Sequence, residues 1–240
     1  MPRFYCPQPL AAGATVQLPE AVAHHLHVVR MQPGDDITLF NGEGGEYTAR
    51  LAAIEKRRAS ATVTEFSARE VELPYAITLA QALPEAAKMD WIIEKAVEMG
   101  VAAIEPLAAQ RCVVKLTGER ADKRQAHWQG VIEAASEQSG RNRLARLAGV
   151  QAIGPWLARP ATQPRLLLSP RGTGTLAEWA RGHAPQDVTL MIGPEGGFTA
   201  QEEDAALAHG AVAVTMGARI LRTETAGIAA AATLCALWGA

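Results

Sequence analysis

VTLMIGPEGGFTAQE, residues 188–202, is the stretch on which the reading of the fold turns. Val188 to Ile192 is an apolar run with the length of a buried strand. It breaks at Gly193-Pro194 and enters a glycine-rich loop that ends at Thr199, with Glu202 three residues on. That is capping-box spacing, in which the threonine hydroxyl and the glutamate carboxylate satisfy free N–H groups of a new helix. The order is strand, loop, helix. It recurs on both sides. Arg165–Leu168 leads into SPRGTGT, 169–175, with Thr175 and Glu178 at the same spacing, and Val212–Met216 leads into GARILRTETAG, 217–227. Such repeated units predict an α/β domain around a largely parallel sheet, with a ligand crevice at the carboxyl ends of its strands. Glycines in these loops let the backbone approach a ligand and adopt positive φ.

Working outward, Ala76–Leu83 and Val101–Leu107 are further strand candidates. Between them Met89, Ile92, Ile93, Ala96 and Val97 fall at helix spacing, and Gly100 is a fitting stop. Trp128, Val131, Ile132 and Ala135 form a second stripe, closed by Gly140. The last helix, Ile228 to Trp238, is apolar almost all round and requires burial on most sides, inside one subunit or between two. The first seventy residues instead read as β-rich. Ile37–Phe40, Glu46–Leu51 and Ala59–Phe66 carry strand patterns, and Pro33-Gly34-Asp35 marks a turn. The polar segment Ser67 to Pro74 separates the two compositions, which sets domains at 1–70 and 75–240.

With 240 residues, 48% hydrophobic and 20% charged, the chain is long enough for two ordinary folded domains and too apolar for a disordered one. Cys6, Cys112 and Cys235 are far apart and odd in number, so a disulfide framework or zinc ribbon is not supported, and a reducing cytoplasm is the expected location. The opening MPRFYCPQPL lacks a signal-peptide core, and the most apolar stretch is too short to span a bilayer. Net charge is −2, yet residues 110–150 hold eight Lys and Arg against four acids, a possible phosphate footprint or simply a solvated helix face. His24, His25 and His27 have no acid or cysteine at ligand spacing, so no metal is expected. Neither GxGxxG nor GxxxxGK[ST] occurs, which argues against a dinucleotide site or a P-loop.

IGPEGGFT at 192–199 together with MGARILRTETA at 216–226 resembles the paired signature of the RsmE-type ribosomal RNA uridine-N3 methyltransferases of the SPOUT superfamily. EQSGR at 137–141, RCVVK at 111–115, KMDWIIEKAVEMG at 88–100 and RFY at 3–5 resemble further motifs of that family, in family order. Gln110 and Met216 are small departures that remove no reactive group. The resemblance implies an N-terminal PUA-like β-barrel, a C-terminal α/β domain closed by a trefoil knot, a homodimer, and S-adenosylmethionine as cofactor. It implies cofactor contacts from Leu168, Ile192, Gly193, Pro194, Glu195, Gly196, Gly197, Met216, Gly217, Ile220, Leu221, Arg222, Thr225 and Ala226. Methylating N3 of uridine in 16S ribosomal RNA requires loss of the N3 proton, so a base or an anion-stabilising cation is needed. Arg222 and Glu224 are the candidates, with Glu195 a second choice as base. Arg3, Arg30, Arg111, Lys115, Arg141 and Arg143 are the candidate RNA contacts. Two alternatives stay open: a SPOUT methyltransferase acting on transfer RNA, and a non-catalytic RNA-binding assembly factor.

Overall fold

The structure is a computed structural model and describes residues 1–85 and 87–239. Its contacts divide the chain into two compact units, residues 1–72 with 136–144, and residues 73–135 with 145–239. The sequence reading placed 136–144 with the second domain; the chain instead returns this segment to the first unit.

In the first unit β1 (Arg3–Tyr5), β2 (Thr15–Gln17), α1 (Glu20–Val28), β3 (Asp36–Phe40), β4 (Glu46–Ile54) and β5 (Ala59–Ser67) follow in order. The sheet order is β1-β3-β4-β5-β2, with β1 parallel to β3 and the other pairs antiparallel. Pairing stops at β1 and β2, so among the described residues the hydrogen-bonded order is that of an open sheet, not a closed ring. The alternating patterns decide which face is inward: Ile37, Leu39, Ala49, Leu51, Ala61 and Val63 are all buried, and Val22, Ala23 and Leu26 of α1 join them. His24, His25 and His27 point outward from α1.

The second unit runs β6 (Ile77–Ala82), α2 (Lys88–Glu98), β7 (Ala103–Ala108), α3 (Glu119–Ser139, its last turn in the first unit), β8 (Arg146–Leu147), β9 (Gln151–Ala152) and α4 (Ile153–Ala158). It continues with β10 (Arg165–Leu168), β11 (Gly174–Thr175), α5 (Leu176–Arg181), β12 (Val188–Ile192), α6 (Ala200–Ala208), β13 (Val212–Thr215) and α7 (Thr223–Trp238). The sheet order is β11-β13-β10-β12-β6-β7-β8, with β9 also on β7. All of these pairs are parallel. Every residue of β6 and β12 is buried, as expected for central parallel strands covered on both faces. The expected stripe of α2, Met89 to Val97, is its buried face. Both capping boxes form, at Thr175 with Glu178 and at Thr199 with Glu202, and they set where α5 and α6 begin.

α7 is covered unevenly. It packs on α2, α5, β6 and β12, but only Thr223, Gly227, Ala230, Ala231 and Leu234 are buried. Ile228, Ala229, Ala232 and Cys235 are half-buried, while Ala236 and Leu237 are exposed. A single chain covers one face of this helix and leaves an apolar one open.

Candidate functional site

Parallel pairing sends every glycine-rich loop out at the same edge of the sheet. The loops after β10 and β13 meet there around a cleft of about 260 Å³. Leu168, Ser169 and Pro170 line one side, and Val214 to Leu221 with Ala226 of α7 line the rest. Of the residues expected to hold the cofactor, the cleft thus gathers Leu168, Met216, Gly217, Ile220, Leu221 and Ala226. Its wall is apolar side chain interleaved with backbone. Ile220, on the wall of the cleft, is 84% exposed. Gly217 has φ of 97°, a conformation an L side chain rarely adopts. Gly172 lies so close to β13 that a Cβ there would stand 2.8 Å from the Val214 backbone.

Ile192, Gly193, Pro194, Glu195, Gly196, Gly197, Arg222 and Thr225 do not line that cleft. One buried residue ties their loop to it. Thr223 Oγ1 donates to the Gly193 carbonyl at 2.6 Å and accepts from Gln81 Nε2 at 2.9 Å. Gln81 is fully buried near the carboxyl end of β6 and also donates to the Ala82 carbonyl at 2.8 Å. The sequence reading missed both Gln81 and Thr223. The available signal was an amide inside a strand that is apolar apart from Thr78, since a buried polar group needs partners.

The glutamates separate cleanly. Glu195 Oε1 accepts from Lys88 Nζ at 2.8 Å and from the Glu85 N–H at 3.0 Å. Burial works to raise the Glu195 carboxyl, but Lys88 and the Glu85 N–H outweigh it and hold the group below the usual carboxylate range. Lys88 is raised in turn, first by that bond, and the Glu224 carboxylate adds to the field it feels. Glu195 is a fastener between the loop and the start of α2, poorly suited to accept a proton. Glu224 is half-buried, and among the described residues its Oε2 is buried with no hydrogen-bond partner. Such a desolvated, unsatisfied carboxylate oxygen is costly unless something else comes to meet it. Arg222 stands at the N-terminal boundary of α7, exposed, and its guanidinium has no partner among the described residues.

The candidate RNA contacts fall into two groups. In the first unit Arg3 is taken up by Glu46, by Asn142 Oδ1 at 2.7 Å and by the Arg141 carbonyl at 3.2 Å. Arg141 is only 3% exposed and grips Glu72 with two bonds, of 3.0 and 2.5 Å. In the second unit Arg111 Nη1 donates to the carbonyls of Gly196 at 2.8 Å and Phe198 at 3.3 Å, so it braces the glycine-rich loop. Arg30 and Lys115 are exposed, and Arg143 is half-exposed beside Glu70 at 3.5 Å. Arg30 also holds φ of 59°, rare for a non-glycine residue. Sequence spacing could not separate these groups, because the bracing partners lie far away in the chain.

Residues 71–235 match a family model described as an RNA methyltransferase domain, and residues 18–64 match one described as an RNA methyltransferase PUA domain. That is the class the fold and cleft define. The Bacillus subtilis ribosomal RNA small subunit methyltransferase E is 34% identical over 86% of this chain and 84% of that protein. A crystal structure of the Neisseria gonorrhoeae ribosomal RNA small subunit methyltransferase E, solved with S-adenosylmethionine, is 42% identical. It superposes with a TM-score of 0.93 over 99% of this chain and 98% of that one. A Legionella pneumophila protein described as a methyltransferase and solved with the same cofactor is 33% identical, with a TM-score of 0.90 over 98% and 96% of the two chains. The chain belongs to the ribosomal RNA small subunit methyltransferase E family.

Two predictions follow from the loop fastenings. Thr223→Val keeps the shape but leaves the Gly193 carbonyl and one Gln81 N–H unpaired, at about 2 kcal/mol for a buried deletion of this kind. Denaturant unfolding should show that loss; an unchanged midpoint would reject the role given to Thr223. Because the Glu195 carboxyl is depressed, its contribution to stability is complete above its ordinary value of 4.5 and declines as pH falls through the lower folded value. Glu195→Gln should therefore be less stable than the parent at pH 7, with the gap closing below about pH 4. A gap that widens on acidification would reverse the assigned sign.

Proposed function

We propose that the protein transfers a methyl group from S-adenosylmethionine to N3 of one uridine in 16S ribosomal RNA. The observation that carries the reading is the convergence of the loops after β10 and β13 on one cleft, in a chain 42% identical to a relative solved with that cofactor. The cleft fits such a group: apolar walls from Leu168, Met216, Leu221 and Ala226 suit an adenine ring and a thioether chain, and backbone groups between them supply polar contacts. The loop 192–197 is the second proposed wall, held by Thr223, Lys88 and Arg111. When bound, the cofactor supplies an electrophilic methyl on a sulfonium, so no metal is needed.

The remaining work belongs to residues beside the cleft. Glu224, with its unpartnered carboxylate oxygen, is the proposed acceptor of the N3 proton. Arg222, exposed and unpaired among the described residues, would hold a uracil oxygen or a flanking phosphate and stabilise the anion left behind. Positioning supplies much of the rest. The target uridine must offer its Watson–Crick edge, so it is unpaired or flipped out. Arg30, Lys115 and Arg143 remain the better RNA contacts, since Arg3, Arg111 and Arg141 are committed within the protein. The same reading includes a C-terminal trefoil knot, supported by the path of the chain from β13, at the β10 edge, to α7 packed on β12 and β6. It also includes a homodimer, for which the uncovered side of α7 and Ile220 are the supporting features. A cytoplasmic location accords with three unpaired cysteines.

Calorimetric titration should show S-adenosylmethionine binding in the micromolar range. Ala226→Trp, which fills the cleft from a helical position, should weaken it by about a hundredfold or more, or roughly 3 kcal/mol. Mass spectrometry of treated 30S RNA should then place the methyl on a uridine N3. No binding at millimolar ligand, or a methyl on ribose, on guanine or on transfer RNA alone, overturns the reading. Arg222→Ala should lower kcat by more than tenfold, about 1.4 kcal/mol, with cofactor affinity retained. A smaller loss removes Arg222 from the chemistry.

A further inference from the structure

The methyltransferase unit has a second concavity, at the other edge of its sheet. Thr78 and Thr189 are the second residues of β6 and β12, and Arg165 is the first of β10. They line a pocket of about 200 Å³ at the amino ends of these strands. The length of three strand residues, about 10 Å, separates that level from the carboxyl edge where the loops emerge. Glu105, Arg146, Trp156, Arg159 and Gln163 supply most of the remaining wall.

The charge here is unbalanced. Arg165 is 6% exposed, and its donors go only to neutral carbonyls: Leu157 at 3.0 Å, Arg159 at 3.0 Å and Trp156 at 3.4 Å. Its guanidinium lies 4.4 Å over the Trp156 ring, and no carboxylate is within ion-pair distance of it among the described residues. Burial, and then Arg159, depress its pKa, and the more distant Glu105 carboxylate offsets them only in part. Glu105 is the acid of the pocket. It accepts from Trp156 Nε1 at 2.6 Å and stands 4.0 Å from Arg159. Arg146 is exposed and has no acid partner among the described residues. Three guanidinia therefore face one carboxylate. Gln163 Nε2 donates to both Thr78 Oγ1 at 3.2 Å and Thr189 Oγ1 at 2.8 Å. Each hydroxyl already accepts a bond, which leaves its own proton free to be given to a ligand.

We propose that this pocket binds a phosphate group. A dianion would neutralise the surplus of two positive charges. The planar forks of Arg146 and Arg159 match phosphate oxygens, and the two threonine hydroxyls add neutral donors, with Glu105 the one carboxylate among the described lining residues. The pocket is smaller than the roughly 300 Å³ typical of sites for drug-sized ligands. It suits a phosphate with few attached atoms, either the end of an RNA chain or a small phosphorylated metabolite. The site is independent of the methyl-transfer reading and lies apart from the residues that reading uses.

The test is calorimetric titration of inorganic phosphate into the full-length protein at fixed ionic strength. Saturable binding is expected. The double variant Arg146→Ala with Arg159→Ala, which removes two side chains at the open part of the pocket, should weaken it at least tenfold while S-adenosylmethionine affinity stays unchanged. Glu105→Gln keeps an acceptor for Trp156 and removes the acid, so it should tighten binding. No saturable binding, an affinity that the double variant leaves unchanged, or a weaker affinity in Glu105→Gln overturns the proposal. Where phosphate binds, a 5′-phosphorylated trinucleotide and glycerol phosphate distinguish the sources. Tighter binding of the trinucleotide assigns the site to an RNA end, and equal affinity assigns it to a free phosphorylated compound.

Discussion

The Gly193 carbonyl, the Thr223 hydroxyl and the Gln81 amide form a buried chain on which the carboxyl edge of the sheet depends. Three segments meet in it: the central strand β6, the loop after β12 and the first turn of α7. Each would otherwise bury an unpaired polar group, at a cost comparable to a lost hydrogen bond. Fixing Thr223 also fixes its neighbours. Arg222 is left at the mouth of α7, exposed, while Glu224 is turned inward next to Lys88. Small-residue packing reinforces the arrangement, since a Cβ at Gly227 would come within 3.0 Å of Leu79. The helix can approach β6 and β12 this closely only with glycine at that position.

Much of this edge was legible in the sequence because it is governed by local rules. Apolar runs gave the strands β6, β10 and β12, and the Thr-x-x-Glu spacing gave the starts of α5 and α6, since a capping box involves residues only three apart. The uneven burial of α7 was not legible. A sequence states that a helix is apolar all round, but how much of it one chain can cover depends on which neighbours reach it. Here α2 and α5 cover one side. The open ring of pairing in the first unit escaped for a related reason, because strand patterns fix which face is buried and not whether the edge strands meet.

Arginine is where the sequence was least able to speak. A guanidinium facing solvent and one spent on a partner look identical in a charge count. Arg141 was counted in a basic surplus, yet it is buried on Glu72, 69 residues away, and Asn142 beside it donates to the Arg69 carbonyl at 2.6 Å. Glu137, four residues before Arg141, accepts from the Tyr5 N–H at 2.8 Å. The EQSGR segment therefore acts mainly as a clasp within the first unit. Its charges close onto Glu72 and the Tyr5 N–H of that unit. Buried pairs of this type contribute little net stability over apolar packing, but removing one partner strands the other, so they specify an arrangement more than they strengthen it.

The two edges of the second sheet carry concavities that are lined in different ways. At the carboxyl edge the means are backbone and shape: glycines with positive φ, apolar walls and loops braced from behind by Arg111, Lys88 and Thr223. Little net charge is built in, which suits a bulky cofactor held by many weak contacts. At the amino edge the means are side chains and charge, with a buried guanidinium kept in place by carbonyls and a stacked indole. Keeping Arg165 desolvated without an acid is expensive in isolation, since the Born cost of burial is not repaid by neutral carbonyls alone. Replacing Glu105 by a closer acid partner would remove that strain and close the pocket to anions. The chain instead gives Glu105 to Trp156 and leaves Arg165 without one. A fold selected for stability alone would be expected to pair the two; an unpaired cation at the base of a polar pocket is the arrangement that binding an anion requires.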